Sequence, residues 1–293
     1  MKEKNGFFGM KQNFGNMAEL MKNATLLDSA IKVPVACDLK EDVVDMPHWV
    51  EVPDKFAVWN INEGKMASVV SKGYNVLLHE DLIKTVANTL TNLGLSIKGT
   101  VINKNNRVHA NILIDKEVEM AGEKFMLGFR ITNSYDKKTG IKGEFYGVRL
   151  ACNNGMLLTN FGEVVLSESH NTTKDVDQLV VNLVKNSVKV SSQLKTVIEE
   201  AMATSMEWAM ANIVLENLLK KKKYVELLQD HLAKEYAGQE HLTKWDVYNA
   251  ITSIITHDRS ISYCAAMKLE KNAQTLLEAK EPQLQKLAII QED

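Results

Sequence analysis

The 293-residue chain is predicted to adopt an α+β fold: an antiparallel β-meander sheet packed with helices, then a helical C-terminal half. Three observations predict it. Apolar and polar residues alternate in runs from Ser96 to Leu150, which is the period of a strand. Turn formers, not helix-length connections, separate those runs. From Thr172 onward the apolar period becomes that of a helix.

Taken in order, residues 1–15 read as loose chain. Asn16 to Ala30 reads as a helix, with Met17, Leu20, Met21, Ala24 and Leu27 at helical spacing. Val33-Pro34-Val35 turns the chain extended. The acidic stretch Asp38 to Asp54, with Pro47 and Pro53, reads as a connector. Phe56 to Ile61, the turn Asn62-Glu63-Gly64 and Met66 to Ser71 make a first hairpin. A helix follows over Glu80 to Leu93, with Leu82, Ile83, Val86 and Leu90 on one face and Gly94 as its cap.

The sheet proper starts with Ser96 to Asn103, a turn at Lys104-Asn105-Asn106, and the return strand Arg107 to Asp115. Lys116 to Glu123 reads as a short acidic link. The central hairpin spans Lys124 to Leu150. Phe125, Leu127, Phe129 and Ile131 alternate on one limb, Phe145, Val148 and Leu150 on the other. Gly128, Gly143 and Gly147 imply bulges or close backbone approach. Asn133, Ser134, Asp136 and Gly140 suit the connection, and Asn153-Asn154-Gly155 suits a tight turn after it. At least four strands in meander order are expected, most simply antiparallel.

In the second half, Thr172 and Asp175 read as a capping start for a helix with Val176, Leu179, Val180, Leu183 and Val184 inward. One long helix is expected from Ser192 to Leu228, a third capped by Thr243, and a last from Ser260 to Ala279 before Pro282. The chain thus divides into 1–54 (helix and connector), 55–171 (sheet domain) and 172–293 (helical region packed on the sheet).

Hydrophobic content of 45% and charged content of 25% are those of a globular protein. The N-terminal MKEKNGFFGMKQNFGN holds no sustained apolar segment, so neither signal peptide nor membrane span is expected. Cys37, Cys152 and Cys264 are odd in number and far apart, which fits buried thiols in a reducing cytoplasm. The sequence holds no G-x-x-x-x-G-K-[ST], no G-x-G-x-x-G after a strand and no Gly-x-Ser-x-Gly, which argues against ATPase, dinucleotide and serine-hydrolase chemistry. Its histidines and cysteines lack metal-ligand spacing, so no cofactor or metal is expected.

Net charge is −2, yet residues 92–150 carry an excess of cations. Lys98, Lys104, Arg107, Arg130, Lys137, Lys138, Lys142 and Arg149 fall in the strands or their turns, and Tyr135 sits beside two of the lysines. Strands space such groups about 6.6–7 Å apart on one face. Cations with an aromatic ring suit a phosphate backbone and a stacked base. A solvated, aggregation-resistant sheet edge explains the same lysines. Lys220 to Lys223 read as a solvated helix turn beside Glu216 and Glu226. His257-Asp258-Arg259 reads as a helix end, and Met202, Met206 and Met210 as a packing seam.

Ser71-Lys72-Gly73-Tyr74, Asn133-Ser134-Tyr135-Asp136, Arg149 to Met156, and Trp245 to Thr252 followed by His257-Asp258-Arg259 occur in a set order. In that order they resemble a phage/plasmid-like family known as a domain of unknown function, with YfjQ/YafZ-like bacterial members. The resemblance spans residues 20–280. The chain departs from it where Lys137 replaces the usual glycine and the Lys-Lys-Thr-Gly insertion lengthens the loop. The resemblance implies no catalytic residues. It implies carriage on mobile elements, near replication and recombination functions. The sheet-then-helix order is also similar, at the level of fold, to the β-β-β-α core of ring-forming single-strand annealing proteins of the Rad-fifty-two type.

The expectation is a cytoplasmic, ATP-independent, homo-oligomeric protein that binds single-stranded DNA and anneals strands in phage or plasmid recombination. No membrane segment is expected, and whether the chain is an enzyme is left open, with a non-enzymatic role favoured. Its binding residues are expected to be the eight cations above with Tyr135. Two alternatives stay open. One is a protein-interaction module, such as a host-defence inhibitor, using Trp208, Trp245 and the methionine row. The other is a nuclease using Asn133, Asp136, Cys152, Asn153 and His257.

Overall fold

The computed structural model describes residues 15–25, 27–38, 49–104, 106–151, 154–157, 166–168, 176–258 and 260–289. Residues 1–14, which the sequence reads as loose, most of the expected acidic connector, Asn105, Cys152, Asn153, the expected Thr172 helix start and Arg259 lie outside them. The architecture is α+β, with antiparallel sheets first and helices after, as the periodicity predicts.

A two-residue strand β1 (Gly15–Asn16) leads into α1 (Met17–Ala24), whose first turn is capped by the Asn16 side chain accepting from the Glu19 N–H at 3.1 Å. The helix is shorter than expected, because Ala30 already belongs to β2 (Ala30–Asp38). β3 (Trp49–Asn60) begins inside the supposed connector, and β4 (Lys65–Ser71) completes the first hairpin. Pro53 is tolerated because the β3–β4 ladder starts only at Lys55, and the β2–β3 register slips between Phe56 and Glu51. α2 (His79–Asn92) ends at Gly94, whose positive φ of 77° lets Gly94 N–H reach Thr91 O and Leu95 N–H reach Leu90 O.

β5 (Ile97–Lys104), β6 (Arg107–Met120), β7 (Glu123–Ser134) and β8 (Ile141–Arg149) pair antiparallel in sequence order, the expected meander. The expected link from Lys116 to Glu123 is mostly strand. A bulge between Leu113 and Glu117 lets β6 continue, and the turn shrinks to Ala121 and Gly122, both at positive φ. Gly128 fits the close-approach reading: a Cβ there would lie 2.0 Å from the Ile112 carbonyl oxygen. β9 (Asn154–Leu157) and β10 (Leu166–Glu168) both pair with β8.

α3 (Val176–Ala203) runs unbroken, and the chain breaks where continuity was expected. β11 (Ser205–Met206) interrupts it before α4 (Trp208–Leu219) and α5 (Lys222–Glu235). β11 pairs with β12 (Leu242–Thr243). Lys220, at φ 52°, ends α4. Thr243 caps α6 (Lys244–His257) in a reciprocal capping box with Asp246. α7 (Tyr263–Glu278) follows, and Pro282 sits in the first turn of α8 (Glu281–Leu287), not after the last helix.

One apolar cluster joins α1, α2, the meander and the C-terminal helices, with Phe125, Phe129, Leu194, Val214, Trp245 and Leu276 among its members. A second, smaller cluster lies under the three-stranded sheet β2–β3–β4, built from Ala30, Val58, Val70, Tyr74 and Tyr135. No helix among the described residues is long and apolar enough to cross a membrane.

Candidate nucleic-acid interface

Register places Arg130 and Lys142 in neighbouring rows of the meander. Thr100, Asn111, Arg130 and Glu144 are successive partners across β5 to β8, and Ile102, His109, Thr132 and Lys142 form the next row. Partners in one row share a face, so the alternation is correct. The face is not open to solvent.

Arg130 is 0% exposed. Its two terminal nitrogens donate to the Glu270 carboxylate of α7 at 2.8 and 3.1 Å, and Nε donates to Asn111 Oδ1 at 2.8 Å. Its guanidinium carbon lies 4.8 Å from the Tyr146 ring centroid. Burial alone would lower its pKa, but the Glu270 carboxylate holds it well above the usual value. Arg130 therefore ties α7 to the sheet, and its expected phosphate role is withdrawn. Beside it His109 bonds Thr132 at 2.9 Å. Burial, with the Arg130 and Arg107 charges, drives its pKa down to about 3, so it is neutral near pH 7.

Tyr135 is also corrected, being 1% exposed. Its hydroxyl accepts from the His79 N–H and donates to the Asp28 carbonyl, both at 2.9 Å. Its ring stacks on His79 at 3.8 Å, and burial raises its pKa. It joins the meander to the small sheet and offers no face to a base.

The remaining cations are mostly paired. Lys98 meets Asp115 at 2.7 Å. Arg107 donates from Nε and a terminal nitrogen to one oxygen of Asp136 at 3.1 and 3.0 Å. The Lys138 N–H and Arg107 hold Asp136 below the usual carboxylate range, against the upward push of its burial. Lys142 pairs with Glu144, and Arg149 grips both oxygens of Glu123, which also accepts from the Trp245 indole at 3.3 Å. The Lys104 side chain lies outside the described set. Lys137 and Lys138 are exposed at the hairpin tip, where Lys137 Nζ donates to the Val69 carbonyl at 3.0 Å. Among the described side chains, Arg130 and Tyr135 are thus buried, Lys98, Arg107, Lys142 and Arg149 meet carboxylates, and Lys137 and Lys138 are left exposed.

The alternative residues fare similarly. Asn133 is buried, its amide donating to Leu77 O at 2.8 Å and meeting His79 Nδ1 at 3.1 Å. Trp245 is buried and stacks on Tyr248, and Met206 is buried as a seam residue. No group of three His, Cys, Asp or Glu among the described residues is placed to hold a metal.

What the sequence reading missed is the outer face of the small sheet. Ile31, Trp59 and Met66 are register partners across its three strands, and Ala57 pairs with Val69 in the next row. Ile31 is 47%, Trp59 40% and Met66 52% exposed, with Ile61 and Val69 open as well. Lys55 lies at the exposed end of the same β3 face, and Lys137 reaches β4 from the hairpin tip, its Nζ donating to the Val69 carbonyl. Strand β3 is apolar on both faces, Phe56 and Val58 inward and Ala57 and Trp59 outward, so its alternation did not mark a solvent side.

The fold and this geometry define an α+β protein whose meander cations are mostly paired or buried. The sequence pattern of the Domain of unknown function (DUF932) matches residues 66–284, and the chain belongs to that family. The match runs from β4 into α8, and so leaves Ile31 and Trp59 outside it. No curated protein and no solved structure matches the chain.

Proposed function

We propose that the chain is an ATP-independent, single-strand-binding and annealing protein of a phage or plasmid, acting in the cytoplasm as a homo-oligomer. The observation that carries this reading is Trp59, an exposed indole on a sheet face that also presents Lys55, with Lys137 reaching the adjoining strand β4. An aromatic face stacks on any base, and neighbouring ammonium groups neutralise the backbone, so binding of this kind tolerates sequence. The strand moves from the meander, where the cations are paired, to the outer face of the small sheet.

Anisotropy with a labelled single-stranded oligonucleotide tests this reading. Trp59→Ala is expected to cost about 1–3 kcal/mol of binding, the worth of one stacked base. Unchanged affinity in that variant sinks the reading.

A second reading is favoured by the apolar character of the same face. Ile31, Ile61, Met66 and Val69 suit a protein contact, either with a second copy or with a host partner. Light scattering separates the two. A Trp59→Ala variant that falls to a smaller species while keeping its oligonucleotide affinity assigns the face to protein.

A further inference from the structure

We propose that the helical half carries a phosphate-binding cleft, between the α4–α5 junction and α7, that takes the phosphate group of a nucleotide or of a strand end. The cleft has a volume of about 170 Å³. Lys221 and Tyr224 line one side, Lys268, Lys271 and Asn272 the other, over Leu219 and Leu269. Nothing in the small-sheet reading bears on it, and it stands or falls alone.

The sequence alone spreads Lys220 to Lys223 around a helix turn, where they could not face one partner. The chain does otherwise. α4 stops at Leu219, Lys220 takes a left-handed conformation, and α5 starts two residues later. The run thus lies at a helix–helix corner, and Lys221 lines the cleft. On α7, Lys268 and Lys271 are three residues apart and so neighbour each other on the helix surface. Glu270, between them in sequence, is committed to Arg130 and supplies no counter-charge here. The Asn272 amide donates to the Leu218 carbonyl at 2.8 Å, which pins α7 to the end of α4 and fixes the walls.

Three lysines therefore line one small cleft, and none of them makes an ion pair among the described residues. Lys222 does, with Glu226 at 3.6 Å, and it lies outside the lining. An anionic guest in the cleft would be attracted by all three charges. The start of α5 adds to this. No side chain caps it, and the N–H groups of a helix's first turn favour negative charge. Lys221 Nζ stands 6.0 Å from the Tyr224 ring centroid, so a ring face lies beside the cations. The volume is below the ~300–1,000 Å³ of sites that enclose a drug-sized ligand. It suits a phosphate with its sugar, not a duplex.

The test is calorimetric titration of the full chain with inorganic pyrophosphate, and with one oligonucleotide bearing either a 5′-phosphate or a 5′-hydroxyl. Pyrophosphate is expected to bind, and Lys268→Glu with Lys271→Glu to weaken it tenfold or more. Lys268→Gln with Lys271→Gln, folded by circular dichroism, is expected to weaken it less. Trp59→Ala is expected to leave it unchanged. Tighter binding of the 5′-phosphorylated strand assigns the cleft to strand ends. Equal binding of the two strands, with pyrophosphate still bound, assigns it to free nucleotides. Absence of pyrophosphate binding overturns the proposal, as does binding that survives the double charge reversal in a folded variant.

Discussion

On the meander, Lys98, Arg107, Arg130, Lys142 and Arg149 each meet a carboxylate, whereas Lys221, Lys268 and Lys271 line their cleft without one among the described residues. In sequence the meander cations have the marks of a binding surface, because strand spacing is regular. The lysine run has the marks of solvent-facing helix, because four lysines in a row circle a helix. Strand register brings acids alongside bases: Glu144 is the register partner of Arg130, and Asp136 follows the strand that pairs with Arg107. A helix corner brings together only what the break allows. Cations are available for a ligand when the local backbone isolates them from carboxylates, not when they are frequent.

The largest expected effect tests whether the meander cations are structural. Breaking a buried ion pair leaves one charge uncompensated and costs roughly 3–5 kcal/mol. Arg130→Met or Glu270→Gln alone is expected to lower the unfolding free energy, read from urea titration, by that order. Arg130→Met with Glu270→Leu is expected to recover most of it, because two apolar residues leave no stranded charge. Lys268→Gln on the same helix is expected to stay within about 0.5 kcal/mol of the parent. Equal losses for Arg130→Met and Lys268→Gln would erase the distinction between the two groups.

A smaller effect reads the same buried face by pH. His109 is held at about 3, whereas an unfolded histidine titrates near 6.5. Above that value neither state binds the proton and the stability is fully present. As pH falls from 6.5 toward 3 the unfolded chain takes up a proton that the folded chain refuses. Stability then drops by up to about 1.4 kcal/mol per pH unit. Urea titrations at pH 7, 6 and 5 are expected to show this loss, and His109→Gln to flatten it. An equal slope in His109→Gln would mean that other groups carry the acid sensitivity.

Much of the fold was legible because the chain states its strands and turns locally. Gly64, Gly94 and Asn106 take positive φ where turns and a cap were read, and Thr243 caps where it should. The breaks at Thr204 to Glu207 and at Lys220 were not legible. The apolar period runs through both, and neither holds a proline or glycine. Pairing of β11 with β12 and a left-handed lysine set them instead. The site was less legible than the fold because ion pairs are not local. Glu270 lies 140 residues from Arg130 and Asp136 lies 29 from Arg107. Alternation gave the correct face for Arg130 and could not say that α7 covers it.

The smallest effect compares single cations within one sheet system. Lys138 is exposed, with no ion pair among the described residues, while Arg149 is already neutralised by Glu123. A free ammonium that meets a phosphate releases about 0.7 counterion from a single strand, and a neutralised one releases none. Under the small-sheet reading, Lys138→Gln is expected to reduce the log–log salt slope of oligonucleotide binding by about 0.7. Arg149→Gln is expected to leave that slope intact and to lower stability instead, since the partly buried Glu123 carboxylate would lose its guanidinium partner. Anisotropy across salt, paired with thermal melts, reads both. A slope that falls in Arg149→Gln and not in Lys138→Gln would return the strand to the meander and reverse the assignment of the two cation groups.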